Sequence, residues 1–193
     1  MNWDKIVGVK KTELIDVTLL NFDTNNPRFT PDKRPDEDSD RAIVSELART
    51  ADLSELIQSI GTSGYINIEP LVVVVRGDQL VVLEGNRRLA ALKALRNEEL
   101  ARYAKLSSPE LTDEVRSTME NILVYRVEKE EDARELIGFK HINGPQAWDA
   151  FAKATFAARW LDSQVGLEKP LQLYEIANRM GDKHATIHRM VTA

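Results

Sequence analysis

Apolar residues follow two rhythms along this chain: alternating or continuous over roughly the first 130 residues, then helical to the end. Ile15, Val17 and Leu19 alternate with polar neighbours, so residues 6–20 read as a strand region. Residues 21–28 are rich in turn formers and end in Asn26-Pro27-Arg28, where the proline disfavours helix before it. Residues 30–40 hold two prolines and no apolar side chain, which predicts an exposed loop. Ile43, Val44 and Leu47 then make one face of a helix over 41–49. Leu53, Leu56, Ile57 and Ile60 make the stripe of a second, with Asp52 or Ser54 as its cap and Gly61 to Tyr65 as its end. Two valine-rich runs, 70–75 and 79–83, predict strands joined by a tight turn at Arg76-Gly77-Asp78. A helix over 87–105, a turn near Pro109, a helix over 110–120 and a strand over 122–127 follow.

From Glu130 the pattern predicts helices only. A short one over 131–139 is broken by His141-Ile142-Asn143-Gly144-Pro145. Pro145 suits the first turn of a long helix over 145–162, whose buried face would be Trp148, Phe151, Ala154, Thr155 and Ala158. Trp148 and Trp160 read as core or interface anchors in preference to base-stacking platforms. A helix over 171–180 and the start of another at 184 end the chain. The fold class expected is α+β: a mixed α/β domain over 1–129, then an all-helical domain over 130–193.

Composition narrows the classes. The 193 residues are 42% hydrophobic and 30% charged, enough for a core under a solvated surface. Cysteine is absent, which excludes disulfides, thiolate metal sites and a thiol nucleophile in this chain. No apolar run reaches the roughly 18 residues of a membrane span, and the first residues lack a secretory pattern. A cytoplasmic protein with no membrane partner is the expectation. The net charge of −5 argues against indiscriminate nucleic-acid binding. Yet residues 1–133 hold 18 Lys and Arg against 25 Asp and Glu, whereas 134–193 hold 8 against 6 and all three histidines. The C-terminal part tolerates DNA where the N-terminal part repels it.

The chemistry concentrates at Glu84-Gly85-Asn86-Arg87-Arg88. A strand runs through a glycine into two arginines on the first turn of a helix. The N–H groups and positive end of a helix start attract anions, and guanidinium forks match phosphate oxygens. Two arginines that merely solvate a helix start are the plainer alternative. Against that, arginine is disfavoured at a positive helix end unless an anion or carboxylate offsets it. Glu84 is a candidate general base, or a salt-bridge partner that holds the arginines when the site is empty; the second role is the expected one.

Leu173 to Met190 reads as a helix-turn-helix over 171–193. Ala177 is small where two helices would cross, Gly181 falls in the turn, and Ile187 faces inward. Lys183, His184, Thr186, His188 and Arg189 would then face DNA. A helical hairpin packed for stability is the alternative. His184 and His188 share a helical face but have no third ligand, so no metal site is assigned. The chain ends within or just after the second helix, as a domain fragment would.

Gly85-Asn86-Arg87-Arg88-Leu89-Ala90-Ala91 resembles the Gly-Glu-Arg-Arg-x-x-Ala box of the ParB/sulfiredoxin family. The context is similar too: Asn26-Pro27-Arg28, Ser59-Ile60 with Gly64, and Pro70-Leu71-Val72-Val73 precede it in the family's order. The arrangement of box domain, linking helices and helix-turn-helix resembles ParB-type partition proteins. That resemblance implies CTP, or ATP, bound by Gly85, Asn86, Arg87 and Arg88, with Arg28 from the opening motif and Gly64 and residues 68–71 near the nucleoside. It implies DNA as partner of the C-terminal helices, and a homodimer or larger assembly. Two positions depart from the pattern. Asn86 replaces a glutamate, and Lys140-His141 stands where the family has a Glu-Asn-Ile-Gln-Arg segment that holds Mg²⁺ and triphosphate. Lysine can neutralise phosphate but cannot hold a hard cation, so the departures weaken the case for Mg²⁺ and for CTP hydrolysis and leave anion binding intact. The expected function is a ParB-like DNA-binding protein switched by a nucleotide. The alternatives are an enzyme on the same scaffold, a nuclease or ATP-dependent phosphotransferase, and an accessory protein that uses the fold for assembly.

Overall fold

The computed structural model describes residues 12–26, 29, 35, 37–143, 150–180, 188 and 189, with the backbone alone for 139–143 and 150. The chain divides into two units. One comprises Met1–Thr24 with Pro35–Lys129, the other Asn25–Arg34 with Glu130–Ala193.

The first unit is built on a five-stranded mixed sheet in the order β1-β5-β3-β4-β2. Its strands are β1 (Thr12–Asp16), β2 (Leu20–Phe22), β3 (Leu71–Arg76), β4 (Gln79–Glu84) and β5 (Asn121–Val127). The expected strand region over 6–20 is instead two strands parted by a 3-10 turn, Val17–Leu19. Asp16 caps that turn. The Thr18 N–H and then the Thr18 hydroxyl donate to its carboxylate, which lowers the Asp16 pKa. β1 and β2 thereby reach opposite edges: β1 pairs antiparallel with β5, and β2 parallel with β4. β3 and β4 form the hairpin the valine runs predicted, with Gly77 at φ +61 as first turn residue. Val72 and Val73 face Glu84 and Val82, so Leu83 is an extra residue on β4. This bulge falls just before Gly85 and re-aims the end of β4.

The helices of this unit are α1 (Asp40–Thr50), α2 (Leu53–Ser63), α3 (Asn86–Arg96), α4 (Glu98–Tyr103) and α5 (Asp113–Ser117). α3 is central. Leu89, Ala90, Ala91, Leu92, Ala94 and Leu95 are buried, and α1, α2 and α4 pack around it. The helix expected over 87–105 breaks at Asn97, whose side chain accepts from the Leu100 N–H at 3.1 Å and starts α4. The helix expected over 110–120 shrinks to α5, which Thr112 caps.

The second unit holds α6 (Glu131–Asn143), α7 (Ala150–Asp162) and α8 (Leu173–Met180), packed on one another. α6 corrects the expected break at His141. The helix runs to Asn143. Lys140 and His141 therefore lie inside a helix. The buried face of α7 also differs from expectation: Ala152, Phe156, Ala157 and Trp160 are buried, and Phe151 is exposed. An alanine-rich helix is apolar on several sides, so spacing alone does not select its inner face. Trp160 is a core residue, edge-on to Phe156 with ring centroids 5.8 Å apart. Trp148 lies outside the described residues. Gly138 permits the close crossing of α6 with its neighbours, since a Cβ there would meet Phe156 Cε1 at 3.1 Å and Met180 Cγ at 3.2 Å. Among the described residues, no helix is long and apolar enough to cross a membrane.

Candidate functional site

Gly85 joins β4 to α3 at φ +102, a conformation that side chains rarely adopt. A Cβ there would stand 2.3 Å from Leu71 Cδ2 and 3.2 Å from Arg88 Nη2. Glycine is thus required twice, for the turn and for the close approach of a sheet side chain and a guanidinium.

Asn86, expected among the ligand contacts, is buried and its amide serves the fold. Its Nδ2 donates to the Val82 carbonyl at 2.7 Å, and its Oδ1 accepts from the Asp23 N–H at 3.3 Å. It locks the start of α3 to the ends of β4 and β2. An amide donates to one main chain and accepts from the other, which an ionised carboxylate cannot do, and this gives the departure from glutamate a structural reason. Asn86→Asp keeps the shape but sets a carboxylate against the Val82 carbonyl. At neutral pH this variant is expected to lose about 2 kcal/mol. Burial and the carbonyl raise the introduced group's pKa in the folded state, so folding favours its protonated form. The gap to wild type is therefore smallest below about pH 4 and widens as pH rises. Urea unfolding of both proteins across pH checks this; a gap independent of pH would refute the assignment.

Arg87 and Arg88 are half-buried and held by main chain. Arg87 Nη2 donates to the Asp52 carbonyl at 2.8 Å, and Arg88 Nη1 donates to the Glu69 carbonyl. Arg88 Nη2 also lies 3.4 Å from Glu69 Oε2. The carboxylate that meets Arg88 is thus Glu69, a residue that spacing does not single out. Glu84, the expected partner, is buried at the end of β4. Asp52, with Ser54, is one of the two expected side-chain caps of α2. It sits there instead at φ 47, ψ 64, with no side-chain capping bond. Strained backbone of this kind in a non-glycine residue tends to gather at working sites, and here its carbonyl orients Arg87.

The loop between α2 and β3 forms one wall. Gly64, at φ +80, ends α2 where a Cβ would meet Thr118 at 3.1 Å. The Tyr65 N–H donates to Thr118 Oγ1 at 2.9 Å. Asn67 Oδ1 accepts from the Leu123 N–H at 2.8 Å, and its Nδ2 donates to the Asn121 carbonyl at 3.2 Å. The loop's main chain is therefore pinned to β5 at two points, while Ile66 and Ile68 stay exposed.

Buried polar atoms without a hydrogen bond gather here. Among the described residues they are Ser45 Oγ, Tyr65 OH, Arg87 Nε and Arg88 Nη2, three of which belong to the box or its loop. Such groups are rare in native folds and each calls for an explanation.

Of the remaining expected site residues, Arg28, Lys183, His184 and Thr186 lie outside the described residues, as does the turn of the expected helix-turn-helix. Lys140 and His141 belong to α6, in the second unit. His188 and Arg189 are helical and exposed. On α8, Ile176, Ala177 and Met180 are buried. Among the described residues, no group of three or more histidine or carboxylate side chains is placed to hold a metal ion.

The class of molecule is thus a mixed α+β unit with a strand–glycine–diarginine box, joined to a helical unit. No family model matches the chain, and no curated protein matches it. Among solved structures it is similar to the C-terminally truncated chromosome-partitioning protein ParB from Caulobacter crescentus. The crystal structure of that protein complexed to the centromeric parS site is 14% identical with a TM-score of 0.46, and covers 93% of this chain and 70% of its own. The structure complexed with CTP-gamma-S is 16% identical with a TM-score of 0.39, and covers 94% and 77%.

Proposed function

We propose that this chain is a ParB-like, DNA-binding protein whose first unit binds a nucleotide by its phosphates at the Gly85–Arg88 box. The observation that carries the reading is the pair of buried guanidinium nitrogens, Arg87 Nε and Arg88 Nη2, that make no hydrogen bond. A buried donor left unsatisfied costs about 1–3 kcal/mol, more when charged, and an anionic oxygen would satisfy each. The N-terminus of α3 adds its own N–H groups and positive end. A phosphate chain fits this donor set better than a single carboxylate, because it offers many oxygens to two forks. The sequence resemblance favours CTP, with ATP next.

In this reading Arg87 and Arg88 hold phosphate, Gly85 and Gly64 keep the main chain close to the ligand, and Asn86 holds the turn in place. Arg28, Lys140 and His141 are further candidate phosphate contacts. Arg87 and Arg88 neutralise the phosphate charge. DNA would meet Lys183, His184, Thr186, His188 and Arg189, with nucleotide occupancy changing how the helical unit or a second copy engages.

Calorimetric titration with CTP, ATP, GTP and UTP, with and without Mg²⁺, tests the ligand. Saturable heat with CTP is the expected result, and no heat with any of the four would sink the reading. For DNA, the affinity should fall steeply with salt. An affinity indifferent to salt would remove the phosphate contacts.

A further inference from the structure

Asp52 stands where a helix cap is expected and does not act as one. Ser39, Asn97 and Thr112, before α1, α4 and α5, are extended, and the side chain of each accepts an N–H of the helix it precedes. Aspartate is as good a cap as any of them. Asp52 is left-handed instead, at φ 47 and ψ 64, and its side chain makes no capping bond. That backbone is unfavourable for a residue with a Cβ, so α2 begins on a strained residue and without its cap. The conformation serves another element. The Asp52 carbonyl accepts from Arg87 Nη2 at 2.8 Å, across 35 residues of sequence, while Arg87 Nε stays buried without a hydrogen bond. A carbonyl is a neutral dipole. It fixes the direction of a guanidinium and leaves its charge for an anion, where a carboxylate would cancel it.

We propose that Asp52 is a positioning residue of the phosphate site and acts through its main chain. Its left-handed conformation aims the carbonyl at Arg87 and holds that fork ready for the ligand with the charge uncancelled. The Asp52 carboxylate takes no part. The inference rests on the nucleotide reading and adds how one of the two arginines is set. Relaxation of residue 52 to the extended form usual before a helix rotates ψ, swings the carbonyl away and releases the guanidinium.

The test is a series at residue 52 in the full chain, with CTP titration and thermal unfolding of each variant. Asparagine and glycine tolerate the left-handed region, alanine less so, and valine least. Asp52→Asn and Asp52→Gly are therefore expected to bind CTP within about twofold of wild type. Asp52→Ala should bind about threefold more weakly and Asp52→Val about tenfold, as a hydrogen bond to a charged group is progressively lost. If Asp52→Val does not fold, Asp52→Ala carries the comparison. An Arg87→Ala background separates positioning from stability. There Asp52→Ala should leave CTP affinity unchanged while still lowering the unfolding midpoint. Wild type that binds CTP, with Asp52→Ala and Asp52→Val equal to it, overturns the positioning role and leaves the nucleotide reading standing. An equal loss from Asp52→Ala with and without Arg87 has the same consequence. Tighter binding by all four variants assigns the effect to the carboxylate and overturns the role given to the carbonyl. Silence from wild type overturns the nucleotide reading and this inference with it.

Discussion

Gly85→Ala is expected to lower the stability of the first unit by about 4 kcal/mol. Two costs add. A non-glycine residue in this region of positive φ costs about 1–3 kcal/mol, and Gly85 sits at φ +102. The new methyl would also stand 2.3 Å from Leu71 Cδ2. Leu71 is fully buried at the start of the central strand β3, so it cannot yield without opening the core. Overpacking of this kind costs about 1–3 kcal/mol more. For a protein of this size the unfolding midpoint should fall by about 10 °C. Gly77→Ala separates the two terms, since Gly77 is at φ +61 but a Cβ there meets nothing within 4 Å. It should cost only about 1 kcal/mol. Thermal unfolding followed by circular dichroism reads both variants. If Gly85→Ala melts no lower than Gly77→Ala, the close approach of Leu71 does not constrain the turn.

The second large effect concerns binding, with the fold left intact. Removal of a guanidinium that meets phosphate loses charged hydrogen bonds of about 1.5–3 kcal/mol. Arg88→Ala should therefore bind CTP about tenfold to a hundredfold more weakly, and Arg87→Ala similarly. The double variant should lose measurable binding. Arg88→Lys should not restore it, because an ammonium offers a point charge in place of a fork and cannot reach both the Glu69 carbonyl and a phosphate oxygen. Each substitution also removes a buried guanidinium nitrogen that makes no hydrogen bond, so the unfolding midpoints should move little. Wild-type affinity in the double variant would show that the box is not the ligand site.

The same residues show how far the sequence could be read. The β3–β4 hairpin and the glycine turn were legible because each depends on local chemistry: valine runs for the strands, and glycine where the backbone needs positive φ. The break at Asn97 was legible in principle, since Asn97-Glu98-Glu99 is a cap followed by an acidic first turn. The partner of Arg88 was not. Glu84 is close in sequence and Glu69 is 19 residues away, and the bulge at Leu83 together with the loop pinned by Asn67 brings the distant one near. Asp52 looked like a cap because its type suits one. Its carbonyl instead serves an arginine 35 residues further on, which no local pattern encodes. The inward role of Asn86 was hidden for the same reason, as one of its two partners, Asp23, comes from β2's end 63 residues before it.

The boundary expected after residue 129 has a further consequence. Asn25 and Asn26 group with the helical unit, and Arg159 of α7 donates to the Asn25 carbonyl at 2.6 Å. The chain leaves the sheet unit after Thr24, returns to it at Pro35 and leaves again after Lys129. The two units are therefore not beads on a string. A single genetic crossover at residue 129 would graft the helices of one parent onto the opening segment of another. The helical unit is therefore encoded in two separate stretches of the gene, and such a crossover would divide it while leaving the sheet unit whole.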